Sequence, residues 1–354
     1  LQTFRCIATR GEEAWQSFGD RGPVAVLMIL QRQRPNNDSE MVALDALPRR
    51  TIADKVNELT HGALRLLRQA GQASNPDHRI IVGNPVEGPL LEAYAASFQG
   101  VSPADFPHFG RHFWEVQPGG EWRFWQSAVE ATKFYGGRSL VIWWNQDLTA
   151  AFAAGQAFVR GENAWGTKGI ACRQMRDLST TLYTGEVFDT NTAVIVPTDP
   201  ADLPAIWAFC SSESFAQEVR RVDRKVNVTN ASIAKVEFNR DHWRIVAAAR
   251  FPNGIPSPWS DDPTQWLFEG HPVRSLEPLQ VAVARLAGYG WPRQSGSSLQ
   301  DCPALGPDGL EKHADRDGIV ALNPVKGEQP AAARLLALLA DAFGGEWSAA
   351  KLDS

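Results

Sequence analysis

The stretch that decides how this chain is read runs from Val159 to Pro197: VRGENAWGTKGIACRQMRDLSTTLYTGEVFDTNTAVIVP. It opens with Arg160, Lys168, Arg173 and Arg176 set among Gly161, Gly166 and Gly169, then turns rich in Thr and Val and stops at a proline. The second half predicts strands. Glycines allow the backbone close approach to a surface. Arginines are fork-shaped donors suited to phosphates and guanine edges. Tyr183, Asp189, Asn191 and Thr192 add polar groups along the strands. Two readings follow from the chemistry alone: a surface that faces nucleic acid, or a twisted antiparallel ribbon whose basic face is merely solvated.

Composition bounds the class. The 354 residues are 44% hydrophobic and 21% charged, as in a globular protein of two or three compact units. The longest apolar runs, such as Val24–Leu30, are too short to span a bilayer, and the N-terminal LQTFRCIATRGEE lacks an apolar signal core. Cys6, Cys172, Cys210 and Cys302 are widely spaced, which argues against a cysteine zinc site and for a reducing, cytoplasmic setting. The net charge of −5 speaks mildly against nucleic-acid binding, but the local field matters more, and RRVDRK (220–225) is one local concentration of cations.

Along the chain, PVAVLMIL (23–30) reads as a strand buried on both faces. Residues 51–72 read as one helix capped by Thr51, with Asp54 three residues on and Gly71 at its end. DHRIIVG (77–83) reads as a short strand and PLLEAYAASFQG (89–100) as a helix. Residues 139–144 and 181–196 are expected as strands of one sheet. Residues 199–223 read as two helices broken at Ser211–Ser214, and 225–243 as a turn, a short helix and a strand-like exit. The proline-rich segment 252–272 reads as extended, and residues 276–354 as mainly helical.

Several chemistries lack their motifs. NPVEG (84–88) and NPVKG (323–327) begin with Asn-Pro but miss the second proline and the aromatic of an amino-methyltransferase loop. GYGWP (288–292) follows no apolar strand. His108 and His112 have helical metal-pair spacing, but Pro107 and Gly110 disfavour a helix there, and no HExxH, GxSxG or P-loop occurs. SDDP (260–263) reads as a capped turn rather than a metal patch. No catalytic residue and no metal ligand is assigned.

The order of segments resembles the C-terminal half of large adenine-specific DNA methyltransferases of type IIG-like restriction-modification and of BREX- or DISARM-type phage-defence systems. The resemblance is carried by AWGTKGIACRQMRDLSTTLYTGEVFDTNTAVIVP (164–197), RHFWE (111–115), YGGRSLVIWW (135–144), LPAIWAFCSSESF (203–215), KVNVTNASIAKVEF (225–238), PNGIPSPWSDDPTQWLFEGHP (252–272) and DGIVALNPVKGEQPAAARLLALL (317–339). It implies a mixed α/β (α+β) fold. Residues 1–50 would be the end of the catalytic domain's sheet, 51–74 a helical connector, 75–275 a mixed α/β target-recognition domain, and 276–354 a helical unit. It implies double-stranded DNA as partner, together with an N-terminal methyltransferase domain of the same polypeptide and other defence-system subunits, and no membrane. S-adenosylmethionine would be bound mainly outside this chain, and none is expected on this portion alone. Trp15 is the implied stacking platform for a flipped adenine, with Phe18 as the alternative and core packing of Trp15 as the competing reading.

The DNA-facing candidates are Arg160, Lys168, Arg173, Arg176, Tyr183 and Asn191, and, around the helix-to-turn segment, Arg221, Arg224, Lys225, Asn227, Thr229 and Asn230. About half of the arginines are expected to pair instead with Asp177, Glu186, Glu218 or Asp223. Whether this chain is itself an enzyme stays open. The rival readings are a stand-alone DNA-specificity subunit without a catalytic domain, and a Trp-rich carbohydrate-binding or hydrolytic protein. With both methyltransferase motifs missing, calorimetry of residues 1–354 should detect no micromolar binding of S-adenosylmethionine; a clear micromolar isotherm would contradict the motif reading.

Overall fold

The computed structural model describes residues 2–11, 25–83, 86–296 and 302–348. Trp15, Phe18 and the Asn84-Pro85 pair lie outside the described residues. The chain folds as two units, one made of residues 1–93, 214–228 and 232–239, the other of 94–213, 229–231 and 240–354. The fold is mixed α/β. Its first elements are β1 (Thr3–Gly11), β2 (Ala25–Gln31), β3 (Glu40–Asp45), α1 (Ile52–His61), β4 (Arg65–Arg68) and α2 (Gln69–Gln72). Then come β5 (Ala95–Gln99), α3 (Phe106–Phe109), β6 (Gly110–His112), β7 (Trp122–Gln126), β8 (Leu140–Trp143) and α4 (Gln146–Ala153). The central stretch supplies β9 (Gly169–Arg173), β10 (Thr180–Tyr183), β11 (Val187–Phe188) and β12 (Thr192–Pro197). The remaining elements are helices: α5 (Leu203–Cys210), α6 (Glu213–Val222), α7 (Asn230–Ala234), α8 (Arg240–Arg250), α9 (Pro278–Leu286), α10 (Pro292–Ser295) and α11 (Ala331–Phe343). Residues 276–354, expected as mainly helical, are less so, since 302–330 is irregular apart from a 3-10 turn at Glu311–His313.

In the first unit a sheet of order β2-β1-β3-β4 packs Ile7, Met41, Ala43, Leu67 and Val82 into a core. β1 runs antiparallel to β2 and parallel to β3. Thr51 caps α1 as expected: its hydroxyl accepts from the Asp54 amide and donates to the Asp54 carboxylate at 2.7 Å. Three expectations are corrected here. The helix ends at Gly62, because RLLR leaves it to pair antiparallel with β3 as β4. Residues 77–83 form no strand; a 3-10 turn at Pro76–His78 leads into a buried irregular segment. β2 is not covered on both faces: among the described residues it is an edge strand paired only with β1, and Val26 through Leu30 are 42–61% exposed.

The second unit holds two sheets, β10-β9-β12-β5 and β11-β7-β8-β6. The strands expected in one sheet are therefore divided. β8 lies in the second sheet, β10 and β12 in the first, and only the two-residue β11 joins β7 and β8. Residues 89–100 are not a helix. A 3-10 turn at Leu91–Ala93 runs into β5, which pairs antiparallel with β12. The central ribbon is antiparallel, but its faces are buried rather than solvated: every residue of β10 is buried, and nearly every residue of β9 and β12. Two of its glycines are required by that packing. A Cβ on Gly169 would sit 2.4 Å from the Ile195 carbonyl oxygen, and one on Gly161, at φ +74°, would sit 2.5 Å from the Gln99 carbonyl oxygen. The close approach they permit is to the protein's own backbone.

Helices α5 and α6 break at Ser211–Ser212 as expected, the two hydroxyls donating back to the carbonyls of Trp207 and Phe209. The strand-like exit expected before Trp243 is only a bridge at Glu237, followed by α8. Segment 252–272 is extended with a single bridge, Ser260 to Phe268. Asp262 accepts from the Thr264 amide and hydroxyl, which makes SDDP a capped turn.

The second unit closes around Arg138, which has no solvent exposure. Its Nε donates to Glu186 Oε1 at 2.7 Å, Nη1 to the Gly136 carbonyl at 3.0 Å, and Nη2 to the Leu182 carbonyl at 2.7 Å. Glu186, equally buried, takes the Thr184 hydroxyl at 2.7 Å and the Thr184 amide at 3.1 Å on its other oxygen. Removing one partner of such a pair strands a buried charge, so Glu186→Ala should cost about 3–5 kcal/mol in urea unfolding. Glu130→Ala, which removes a carboxylate that is 79% exposed, should shift the midpoint far less; equal shifts would contradict this ranking.

Candidate nucleic-acid interface

In the first unit the sequence builds a cationic cleft of about 800 Å³. β3 ends at Asp45, and the following Leu47-Pro48-Arg49-Arg50 leads to the Thr51 cap and to Lys55 in the first turn of α1. Helix α6 faces it. Phe215, Val219 and Val222 form its buried stripe, so Gln217, Arg220 and Arg221 emerge on another side, and Arg224 follows one turn beyond. Of the eleven described residues lining the cleft, six are Arg or Lys (Arg49, Arg50, Lys55, Arg220, Arg221, Arg224) and none is acidic.

Arg49, Arg221 and Arg224 are held in place by carboxylates that do not line the cleft. Arg224 Nη1 contacts both oxygens of Asp45 at 2.9 and 2.8 Å, and Asp45 is itself fixed by the Thr9 hydroxyl at 2.5 Å. Arg49 pairs with Glu58 at 2.7 Å, and Arg221 with Glu218 at 2.6 Å and Glu237 at 3.5 Å. Arg220 donates to the carbonyl of Lys225, which ties down the turn after α6. Arg79 donates to the last carbonyl of α6, that of Val222, at 3.0 Å and pairs with buried Asp223 at 3.6 Å. The exposed Lys225 ammonium and Arg50 guanidinium have no ion partner among the described residues. Asn227 is exposed on the same turn.

The candidates of the second unit are distributed differently. Arg173 and Arg176 share Glu130, at 2.7 and 3.6 Å, and the hydrogen bond from Arg173 holds the Glu130 carboxyl below the usual range. Arg176 sits in the β9–β10 turn at φ +55°. Arg160 donates to Gln99 Oε1 at 2.6 Å and lies 5.4 Å over the Phe158 ring; Lys168 is exposed before β9. The exposed Asn191 sits in a turn built on Asp189, whose carboxyl accepts from the Asn191 and Ala128 amides and is raised by burial. Thr229 is exposed, while Asn230 donates its side-chain amide to the Ser97 carbonyl at 3.0 Å.

Tyr183 is corrected from a surface candidate to a core residue. It is 1% exposed, its ring lies edge-on to Phe188 at 5.6 Å, its hydroxyl donates to the Glu186 carbonyl, and burial pushes its phenol well above the ordinary range. The pairing expected for the arginines holds at Glu218 alone. Glu186 and Asp223 are taken by Arg138 and Arg79, and Glu130 and Asp45 do the pairing instead. Arg49, Arg50 and Lys55 were absent from the sequence reading. The signal available for them was the arginine pair directly before a helix cap.

Among the described residues no group of three or more His, Cys, Asp or Glu could hold a metal ion, and no helix is long and apolar enough to cross a membrane. Residues 323–327 form an exposed turn closed by a Val325–Glu328 bridge, and 288–292 follow helix α9 rather than a strand.

No family model matches the chain, and no curated protein matches it. Among solved structures the chain is similar to the type IIL restriction-modification enzyme MmeI in complex with DNA, at a TM-score of 0.38 and 13% identity, over 79% of this chain and 42% of that one. The chain thus spans less than half the length of that enzyme.

Proposed function

We propose that this chain is the target-recognition and DNA-clamping portion of a site-specific, S-adenosylmethionine-dependent adenine DNA methyltransferase serving restriction-modification or phage defence. The observation that carries the DNA side of this reading is the cationic cleft of the first unit. A chain of net charge −5 gathers six cations around one cleft, from segments about 170 residues apart, with no acidic side chain among the described residues that line it. Carboxylates that do not line the cleft pair with Arg49, Arg221 and Arg224 and orient their guanidiniums, and Lys225 and Arg50 add charge with no ion partner among the described residues. Such an array suits phosphate contacts, which position a protein on a duplex, while Asn191 and Asn227 have the side chains for base edges.

The methyltransferase side is supported by the order of the resembling segments and by β2. A strand apolar from Ala25 to Leu30, exposed on both faces and with one edge unpaired among the described residues, suits a sheet that continues into a further domain. In this reading the cofactor and the catalytic loop belong to the N-terminal domain of the same polypeptide, and the target adenine is extruded before its amine is reached. Trp15 keeps its proposed place beside that base.

The test is a salt titration of the chain on random-sequence duplex. Affinity should fall linearly on a log–log plot, and Lys225→Ala and Arg50→Ala should each reduce the slope by about 0.9. Tyr183→Phe should leave the slope unchanged. Salt-independent binding, or no binding, would contradict the proposal.

A further inference from the structure

The second unit carries a groove of about 1070 Å³ that has no part in the duplex reading above. It opens where β11 stops: β11 pairs with β7 only at Trp125 and Gln126, so the β7 edge at Trp122–Phe124 has no strand beside it on that side. Its walls are aromatic and glycine-rich, with Trp114, Trp122, Trp165 and Tyr289 set among Gly119, Gly120, Gly288 and Gly290. Trp114 is 42% exposed although it stacks on His112 at 4.3 Å and 10°. A large aromatic held flat by a neighbour and left open to solvent is a platform.

The polar groups of the groove narrow the ligand class. Arg123 is exposed, its guanidinium is 4.4 Å over the Trp144 ring, and it has no carboxylate partner among the described residues. The indole N–H of Trp165 is buried with no hydrogen-bond partner among them. Of the lining acceptors, Glu186 serves Arg138 and Thr184, Glu115 accepts the His112 amide at 2.7 Å on one oxygen, and Gln117 is an exposed amide. A sugar also stacks on indole, and Gln117 has the amide to receive a hydroxyl, but a neutral sugar leaves the Arg123 guanidinium without a countercharge. A nucleotide needs an aromatic face for its base and a cation for its phosphate, and both are present and unspent. Bases within a duplex cannot present their faces to such a platform.

We propose that this groove binds unstacked nucleotides of single-stranded nucleic acid, with a base on Trp114 and a phosphate at Arg123. The proposal rests on the DNA reading only for the source of the strand, a segment displaced from the bound duplex.

The test follows binding of the chain to an oligo-dT single strand, read by quenching of tryptophan fluorescence, beside its binding to random duplex. Trp114→Ala should weaken oligo-dT by about fivefold or more. Arg123→Ala should weaken it and reduce the single-strand salt slope by about 0.7, while Arg123→Lys keeps the slope. Circular dichroism melts confirm folding of each variant, and duplex affinity should change less than the oligo-dT affinity in all three. Unchanged oligo-dT binding by Trp114→Ala and Arg123→Ala overturns the groove assignment, as does binding of cellohexaose in place of oligo-dT. Those outcomes leave the cleft untouched, because Lys225→Ala alters the duplex slope and not the oligo-dT binding; loss of the duplex response with the oligo-dT response intact fails the cleft reading alone.

Discussion

Arg138 is the constraint on which the second unit depends. A guanidinium with no solvent exposure must have its donors satisfied by the protein, and the groups that satisfy it come from distant parts of the chain. The turn Tyr135–Arg138 supplies one carbonyl, the β10 end supplies another, and Glu186 supplies the countercharge. The backbone of Arg138 is held too: its amide donates to Gln265 Oε1 at 2.7 Å, and its carbonyl accepts from the Trp266 amide at 2.9 Å. Three segments that stand out in the sequence, YGGR, TLYTGE and DPTQWLF, therefore meet at one buried charge. The Trp266 ring, fully buried, lies 5.7 Å from that guanidinium and packs on Phe124 at 4.3 Å, which ties the ion pair to the apolar core.

The first unit treats its arginines in the opposite way. They are partly exposed, and the carboxylates they pair with do not line the cleft. An exposed ion pair contributes little to stability. Its effect here is on direction, since a guanidinium held by Asp45 or Glu218 points its remaining N–H groups into a defined space. The acidic net charge and the basic cleft are compatible for the same reason: a phosphate within a Debye length senses the cleft, not the sum over the chain.

Much of the fold was legible. The Thr51 cap, the break at Ser211, the strand at 192–197, and helices α9 and α11 each have a local signal strong enough to decide the outcome. What failed was decided by pairing. RLLR is a good helix sequence that becomes a strand because β3 offers it an edge, and AASFQ, alanine-rich and helix-compatible, is drawn into β5 by β12. The glycine-rich cationic stretch was legible as chemistry but not as geometry: its glycines serve backbone contacts within the sheet, and its strand faces, Tyr183 included, are core. The cleft was half legible. RRVDRK marks one wall, but Arg49 and Arg50 lie far away in sequence, and only the fold brings Arg224 to Asp45 across 179 residues.

The central claim is that DNA lies in the cationic cleft, and hydrogen–deuterium exchange of the whole chain with and without duplex tests it most directly. Backbone amides covered by a ligand exchange more slowly. The account predicts slowed exchange in peptides covering residues 47–55 and 217–226, reversed by added salt. Unchanged exchange in both segments at saturating duplex would contradict it.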